Sequence, residues 1–457
     1  MSKLASFFDY VKEAFNGREF KINISMLKSI LIVVLAALTI YQTGVLWLVN
    51  ITNRTFLFNY FPFLHQEAIP EGADRLVTPW RIIMADYDGS FKVKYNDLAE
   101  ARRYGDKVIS HLFQGGAFVS SRPLDHELDV FLSFYHYQTN PIYIYEYAFP
   151  MDAEWFTQGF GQRGNILTAR GMGRFRQVVI VPPSYGKADA RVFFLCEDAY
   201  VHEFTVTPQT SDGFYTQVPE DFAGFNYIWD NGQFIRHGDF FFYGVRVTNP
   251  YADAHGSFLM DFIENQVASF FNNPAAIETF EDGNVWIFRG VTTVVRYYAT
   301  HVLEYISYRA IDRNVPSSFI NDFAAAVRFL DRDHLVINDT YLAGFREDRG
   351  RNIFYFNYVI NNTPLIMPQN WPLGSYLEHP IVITVDHGTV VNYRKLAFNF
   401  ETNEELWGIA SANFNNAADF DDVRLGFRIG GRDIELLHWF ANSRSFPVPH
   451  NINIMRE

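Results

Sequence analysis

Residues 29–49 read Ser29-Ile30-Leu31-Ile32-Val33-Val34-Leu35-Ala36-Ala37-Leu38-Thr39-Ile40-Tyr41-Gln42-Thr43-Gly44-Val45-Leu46-Trp47-Leu48-Val49, without a charged side chain. At about 1.5 Å per residue a helix over this stretch spans a hydrocarbon core of roughly 30 Å. A cleaved signal peptide carries a shorter apolar run of about 7–15 residues and ends in a small-x-small site. The bulky exit Val45-Leu46-Trp47-Leu48-Val49-Asn50 does not fit one. The sequence therefore predicts an uncleaved transmembrane helix over 29–49.

The flanks set its direction. Lys3, Lys12, Arg18, Lys21 and Lys28 outnumber Asp9, Glu13 and Glu19 before the span, and Trp47 lies near its far end. The positive-inside rule then keeps residues 1–28 as a cytoplasmic tail and puts the bulk of the chain outside the cell membrane. Leu4, Phe7, Phe8, Val11 and Phe15 recur at helical spacing in the tail. They predict an amphipathic helix on the inner leaflet or against a cytoplasmic partner, or else a frayed end. Within the span Ser29, Val33, Ala36, Ile40, Thr43, Gly44 and Trp47 share a face with Ala37 at its edge. Small residues there let a partner helix approach closely, and they suit plain lipid as well.

The chain of 457 residues is too long for one ordinary core. Its formal charge of −13 falls after the basic tail, so the outer region should repel nucleic acid and other polyanions. Cys196, the single cysteine, excludes an internal disulfide and a multi-cysteine metal site.

Beyond the span the pattern is mixed, and the expected class is α+β. Domain 1 is placed at 51–210, domain 2 at 211–312 and domain 3 at 313–457. In the first, strand-like Trp80–Ile83 precedes a helical pattern through Leu98, Ala101, Val108, Ile109 and Leu112. Strands return at Ile142–Tyr147, Gln177–Val181, Arg191–Leu195 and Tyr200–Val206, the last two forming a hairpin turned near Glu197-Asp198. The second has a helix around Phe258, Phe262, Val267 and Phe270, a hairpin at Asp282-Gly283, and a second one joining Val294–Tyr298 to Val302–Tyr305. The third repeats that order. Pro316-Ser317-Ser318 caps a helix bearing Phe319, Phe323, Val327 and Leu330, followed by hairpins at Asn361-Asn362, Asp386-His387-Gly388 and Gly430-Gly431. Helix-plus-antiparallel-hairpins is thus the shared build of the last two domains.

Catalytic signatures are absent. Gly159-Phe160-Gly161-Gln162-Arg163-Gly164 matches a dinucleotide fingerprint in letters, but no strand enters it and no apolar helix leaves it, so it reads as a glycine-rich loop. His126 and His136 are too far apart in sequence for adjacent helical turns, and Cys196 lies in the apolar run Phe193-Phe194-Leu195-Cys196. Tyr143, Tyr145 and Tyr147 could stack sugars, yet their alternation reads first as sheet packing. No catalytic residue, cofactor or metal is expected.

In the order of its parts the chain resembles the YycH family, membrane-anchored regulators of the WalK (YycG) sensor histidine kinase of Gram-positive bacteria. The likeness rests on Leu27-Lys28-Ser29-Ile30-Leu31-Ile32-Val33 opening an anchor that ends in Leu46-Trp47. It rests also on Val294-Val295-Arg296-Tyr297-Tyr298 and Val302-Leu303-Glu304-Tyr305, which follow Ser269-Phe270-Phe271. The resemblance implies a non-enzymatic two-component regulator whose helix packs beside kinase helices. It also implies a single-pass YycI-like companion resembling the last two domains. The other reading is an extracytoplasmic module that binds cell-wall fragments or peptides and uses its anchor only as a tether. The sign of regulation stays open.

Overall fold

The computed structural model describes residues 71–85, 91–95, 98–123, 142–162, 166–183, 189–207, 267–312, 318–333, 339–360, 362–367 and 379–400, with isolated positions 35, 39, 264 and 377. For 225–230, 233–236, 239–248, 401–411, 423–430, 433–441, 444–447 and 450–454 it describes the backbone, plus the half-buried side chain of Val245. Two compact units divide the chain, Met1–Ala68 and Ile69–Glu457. In the first, Leu35 and Thr39 are helical, and the Thr39 hydroxyl donates to the Leu35 carbonyl at 2.8 Å. The predicted contact residues Ser29, Val33, Ala36, Ala37, Ile40, Thr43, Gly44 and Trp47 lie outside the described residues. Among the described residues no helix is long and apolar enough to cross a membrane.

The second unit is α+β, built from mostly antiparallel sheets with few helices. Its first sheet has nine strands: β1 (Arg81–Ala85), β2 (Phe91–Lys94), β3 (Ala117–Pro123), β4 (Ile142–Asp152), β5 (Arg174–Val181), β6 (Ala190–Cys196), β7 (Tyr200–Val206), β8 (Phe225–Asp230) and β9 (Gln233–Arg236). Their order is β3-β7-β6-β5-β4-β1-β2-β8-β9, so the sheet continues past residue 210. Helix α1 (Leu98–Gly115) buries Leu98, Ala101, Val108, Ile109 and Leu112, the 3.6-residue stripe predicted for it, and Tyr104 besides. Beyond β4, Asp152 caps α2 (Ala153–Gly159) by accepting from the Glu154 amide at 2.8 Å.

Both faces of this sheet are covered. Ile82, Tyr143, Tyr145, Val178 and Phe194 belong to the core that also holds residues of α1 and α2. Ile83, Ile144, Val179 and Phe193 belong to a second cluster with Tyr341 and Val359. Strands buried on both sides read as continuous apolar runs, which is why β5 and β6 lack clean alternation.

Strand β10 (Asp239–Thr248) leads to a third sheet containing β11 (Glu278–Asp282), β12 (Val285–Arg289), β13 (Thr293–Tyr298), β14 (Val302–Ser307), β15 (Asp339–Asp348), β16 (Arg351–Ile360), β17 (Thr363–Ile366), β18 (Ile381–Asp386) and β19 (Thr389–Leu396). Then β20 (Asn399–Ser411) and β24 (His450–Ile454) join β10 in a three-stranded sheet, while β21 (Val423–Gly430), β22 (Asp433–Ala441) and β23 (Arg444–Pro447) extend the third through the parallel pair β17–β21. The meander β11-β12-β13-β14 and the series β15-β16-β18-β19 meet at their last strands, where β14 pairs β19 antiparallel. The expected boundary at 312/313 therefore falls between strands of one sheet.

Turn chemistry explains the hairpins. Gly283 has φ 62° between β11 and β12, His301 φ 63° between β13 and β14, and His387 and Gly388 φ 48° and 72° between β18 and β19. One expected pairing is smaller than predicted. β16 meets β17 only at Val359↔Pro364 and Ile360↔Thr363, and its longer ladder runs to β15, a strand the sequence reading passed over. Asn362, with φ 55°, docks that turn on the first sheet: its side-chain oxygen accepts from the Tyr95 amide and its amide donates to the Val93 carbonyl at 3.3 Å.

Helix α3 (Phe319–Arg332) covers the inner face of the third sheet. Of the predicted capping segment Pro316-Ser317-Ser318, Ser318 is the cap and accepts from the Asn321 amide at 3.3 Å, and Phe323, Val327 and Leu330 are buried. Phe319 stacks on Trp155 of α2 with centroids 3.6 Å apart, which joins the two cores. Of the helix predicted around Phe258–Phe270, Glu264, Val267 and Ala268 are helical, Phe270 lies in a turn, and Phe258 and Phe262 lie outside the described residues.

Candidate functional site

The face of the third sheet turned away from α3 carries polar and apolar side chains in two rows. Alternation along each strand puts Phe354, Ile383 and Tyr393 inward and leaves Ile353, Thr384 and Asn392 outward. Cross-strand register aligns Arg346, Ile353, Thr384, Asn392 and Ile306 in one row. It aligns Tyr355, Val382, Arg394, Glu304 and Arg296 in the next. All of these residues but Glu304 and Arg296 line an open cleft of about 520 Å³, rimmed by Arg309 and Ile311 from the chain after β14 and by Asp348 and Arg351 at the β15–β16 turn.

Its electrostatics are unlike those of the chain as a whole. Four of the lining residues are arginines and one is an acid, in a protein whose net charge is −13. Glu304 accepts from Arg394 at 2.8 Å, from Arg296 at 3.2 Å and from the Tyr298 hydroxyl at 2.9 Å. Burial alone would push its carboxyl up, but the Tyr298 hydroxyl and the Arg394 guanidinium outweigh burial and hold it below the usual carboxylate range. Arg351 is matched by Asp386 at 2.9 Å. Arg309 donates to the neutral Asn272 side chain at 2.6 Å, and Arg346 makes no ion pair among the described residues. Among the described residues two of the four lining guanidiniums are thus left without an acidic partner. The lining contains no His, Cys or Lys. Arginine stays charged at any physiological pH and presents forked donors, which suits recognition of carboxylates or phosphates better than proton transfer.

The residues weighed from sequence for other chemistry lie elsewhere. Cys196 is buried, and burial with the nearby Asp198 charge pushes its thiol up to about 12, the opposite of an activated nucleophile. Tyr143, Tyr145 and Tyr147 are buried, with the Tyr145 hydroxyl donating to the Arg102 carbonyl at 2.8 Å and that of Tyr147 to the Val77 carbonyl at 3.1 Å. Of the Gly159–Gly164 string, Gly159 is the last residue of α2, Phe160 and Gly161 form the turn that follows it, and Arg163 and Gly164 lie outside the described residues. Gly161 at φ 77° donates to the Gln158 carbonyl, and a Cβ on Gly159 would lie 2.5 Å from Val77 Cγ1, so both glycines have structural reasons. His126 and His136 lie outside the described residues, among which no group of His, Cys, Asp and Glu could hold a metal ion.

The class defined by these observations is an α+β protein with an arginine-lined cleft on an antiparallel sheet. No family model matches the sequence, and no curated protein or solved structure does so either.

Proposed function

We propose that this chain is a single-pass membrane protein of the YycH type that regulates a WalK-like sensor histidine kinase by non-covalent recognition, without turnover. The observation that carries the reading is the uncharged stretch 29–49 behind a basic tail, which puts the N-terminus in the cytoplasm and residues 51–457 outside. The helical state of Leu35 and Thr39 is in keeping with a span there. The join of two strand series at β14 and β19 is in keeping with last domains of common build. In this reading the face of Ser29, Val33, Ala36, Ala37, Ile40, Thr43, Gly44 and Trp47 packs on kinase helices, a YycI-like chain shares the complex, and lipid surrounds the rest. A differential packing energy of about 1–3 kcal/mol is enough to bias a two-state kinase.

Replacing Ala36 and Gly44 by Ile tests it: kinase output should become insensitive to this protein while membrane levels hold. Unchanged regulation at normal levels would sink the docking reading. The cleft favours a second reading, an outer binding module for wall fragments or peptides with the helix as mere tether. A chimera separates the two, because an unrelated anchor carrying 51–457 preserves regulation only in the second.

A further inference from the structure

The outer face of the third sheet joins an apolar floor to positive charge that meets no acid among the described residues. Ile306, Ile353, Val382 and Tyr355 supply the floor, with Thr384 and Asn392 as hydrogen-bonding groups between them. Arg309 and Arg346 stand on opposite borders, one after β14 and one on β15, and neither has a carboxylate among the described residues. Asp348, the acid of the rim, lies 4.0 Å from Arg349. We infer that this cleft binds a short peptide in which carboxylate side chains flank an apolar one, each carboxylate meeting a guanidinium fork and the apolar side chain lying on the isoleucine and valine floor.

Three observations choose that ligand. A volume of about 520 Å³ falls among pockets for small ligands and is too small for a folded partner. Bare phosphate would leave the floor in water, and burying apolar surface is what an apolar ligand side chain adds. A long polyanion would run beyond the arginines onto a strongly acidic protein, whereas a short ligand feels mainly the local field. The inference rests on the proposed reading only in that the chain acts by binding.

Calorimetric titration of the full chain in detergent micelles with acetyl-Glu-Leu-Glu-amide provides the test, with acetyl-Gln-Leu-Gln-amide, inorganic phosphate and a polyphosphate as comparisons. The acidic peptide should bind, and Arg309→Gln with Arg346→Gln should weaken it at least ten-fold without moving the melting temperature. Arg346→Lys, which keeps charge but loses the fork, should fall between. Equal binding of the glutamine peptide, tighter binding of phosphate or polyphosphate, unchanged affinity in the double variant, or no heat at millimolar peptide would each overturn the assignment. Failure here leaves the kinase-output experiments untouched, and their failure leaves this titration untouched.

Discussion

Arg394 and Lys395 are consecutive on β19, and the sheet sends them to opposite faces. On the inner face Lys395 is 1% exposed, and its ammonium meets Asp333 Oδ2 at 2.5 Å just beyond the end of α3. The Tyr393 hydroxyl donates to the same oxygen at 2.7 Å. Burial lowers the Lys395 ammonium below its ordinary value, and Asp333 opposes that shift without reversing it. On the outer face Arg394 is 37% exposed and shares Glu304 with an equally exposed Arg296. The inner pair is sealed under a helix and can serve only the fold. The outer row borders a cleft, keeps water on its guanidiniums, and remains able to exchange partners.

The largest effect should come from breaking the sealed pair. Lys395→Met leaves Asp333 buried without its counter-charge and should cost about 3–5 kcal/mol in denaturant unfolding. Adding Asp333→Leu should recover most of that loss; a double variant as unstable as the single would contradict the account. Glu304→Gln should cost less, about 1–2 kcal/mol, because both guanidiniums are more than a third exposed and screened. Glu304 titrates lower when folded than when unfolded, so its stabilisation is in place above its ordinary value of 4.5 and drains away as pH falls through and below it. Unfolding of the variant should accordingly depend less on pH in that acid range. The smallest effect belongs to Arg346→Gln, expected within about 0.5 kcal/mol of the parent by the same measurement.

Local signals in the sequence were enough for much of this fold. Helices α1 and α3 were legible from their apolar stripes and from the Pro316-Ser317-Ser318 segment, and the hairpins from Gly283, the 299–301 turn and His387-Gly388. β15 was not, because a bulge between Leu342 and Gly344 breaks its alternation. The cleft was hidden more thoroughly. Arg309, Arg346, Arg351 and Arg394 occur singly in separate segments, and only cross-strand register gathers them with their apolar floor. Arg296 and Glu304 stood in strands that carry the family likeness, yet nothing local says that Glu304 bonds a residue ninety positions later.

That distance has a kinetic consequence. Each hairpin closes over a turn of a few residues, whereas β14 and β19 must wait for the whole intervening chain to emerge and come back. Ladders between sequence neighbours can zip early, but this one demands a long loop closure before returning any hydrogen bonds. The two halves of the sheet thus assemble separately, and the step that unites them also completes the floor of the cleft.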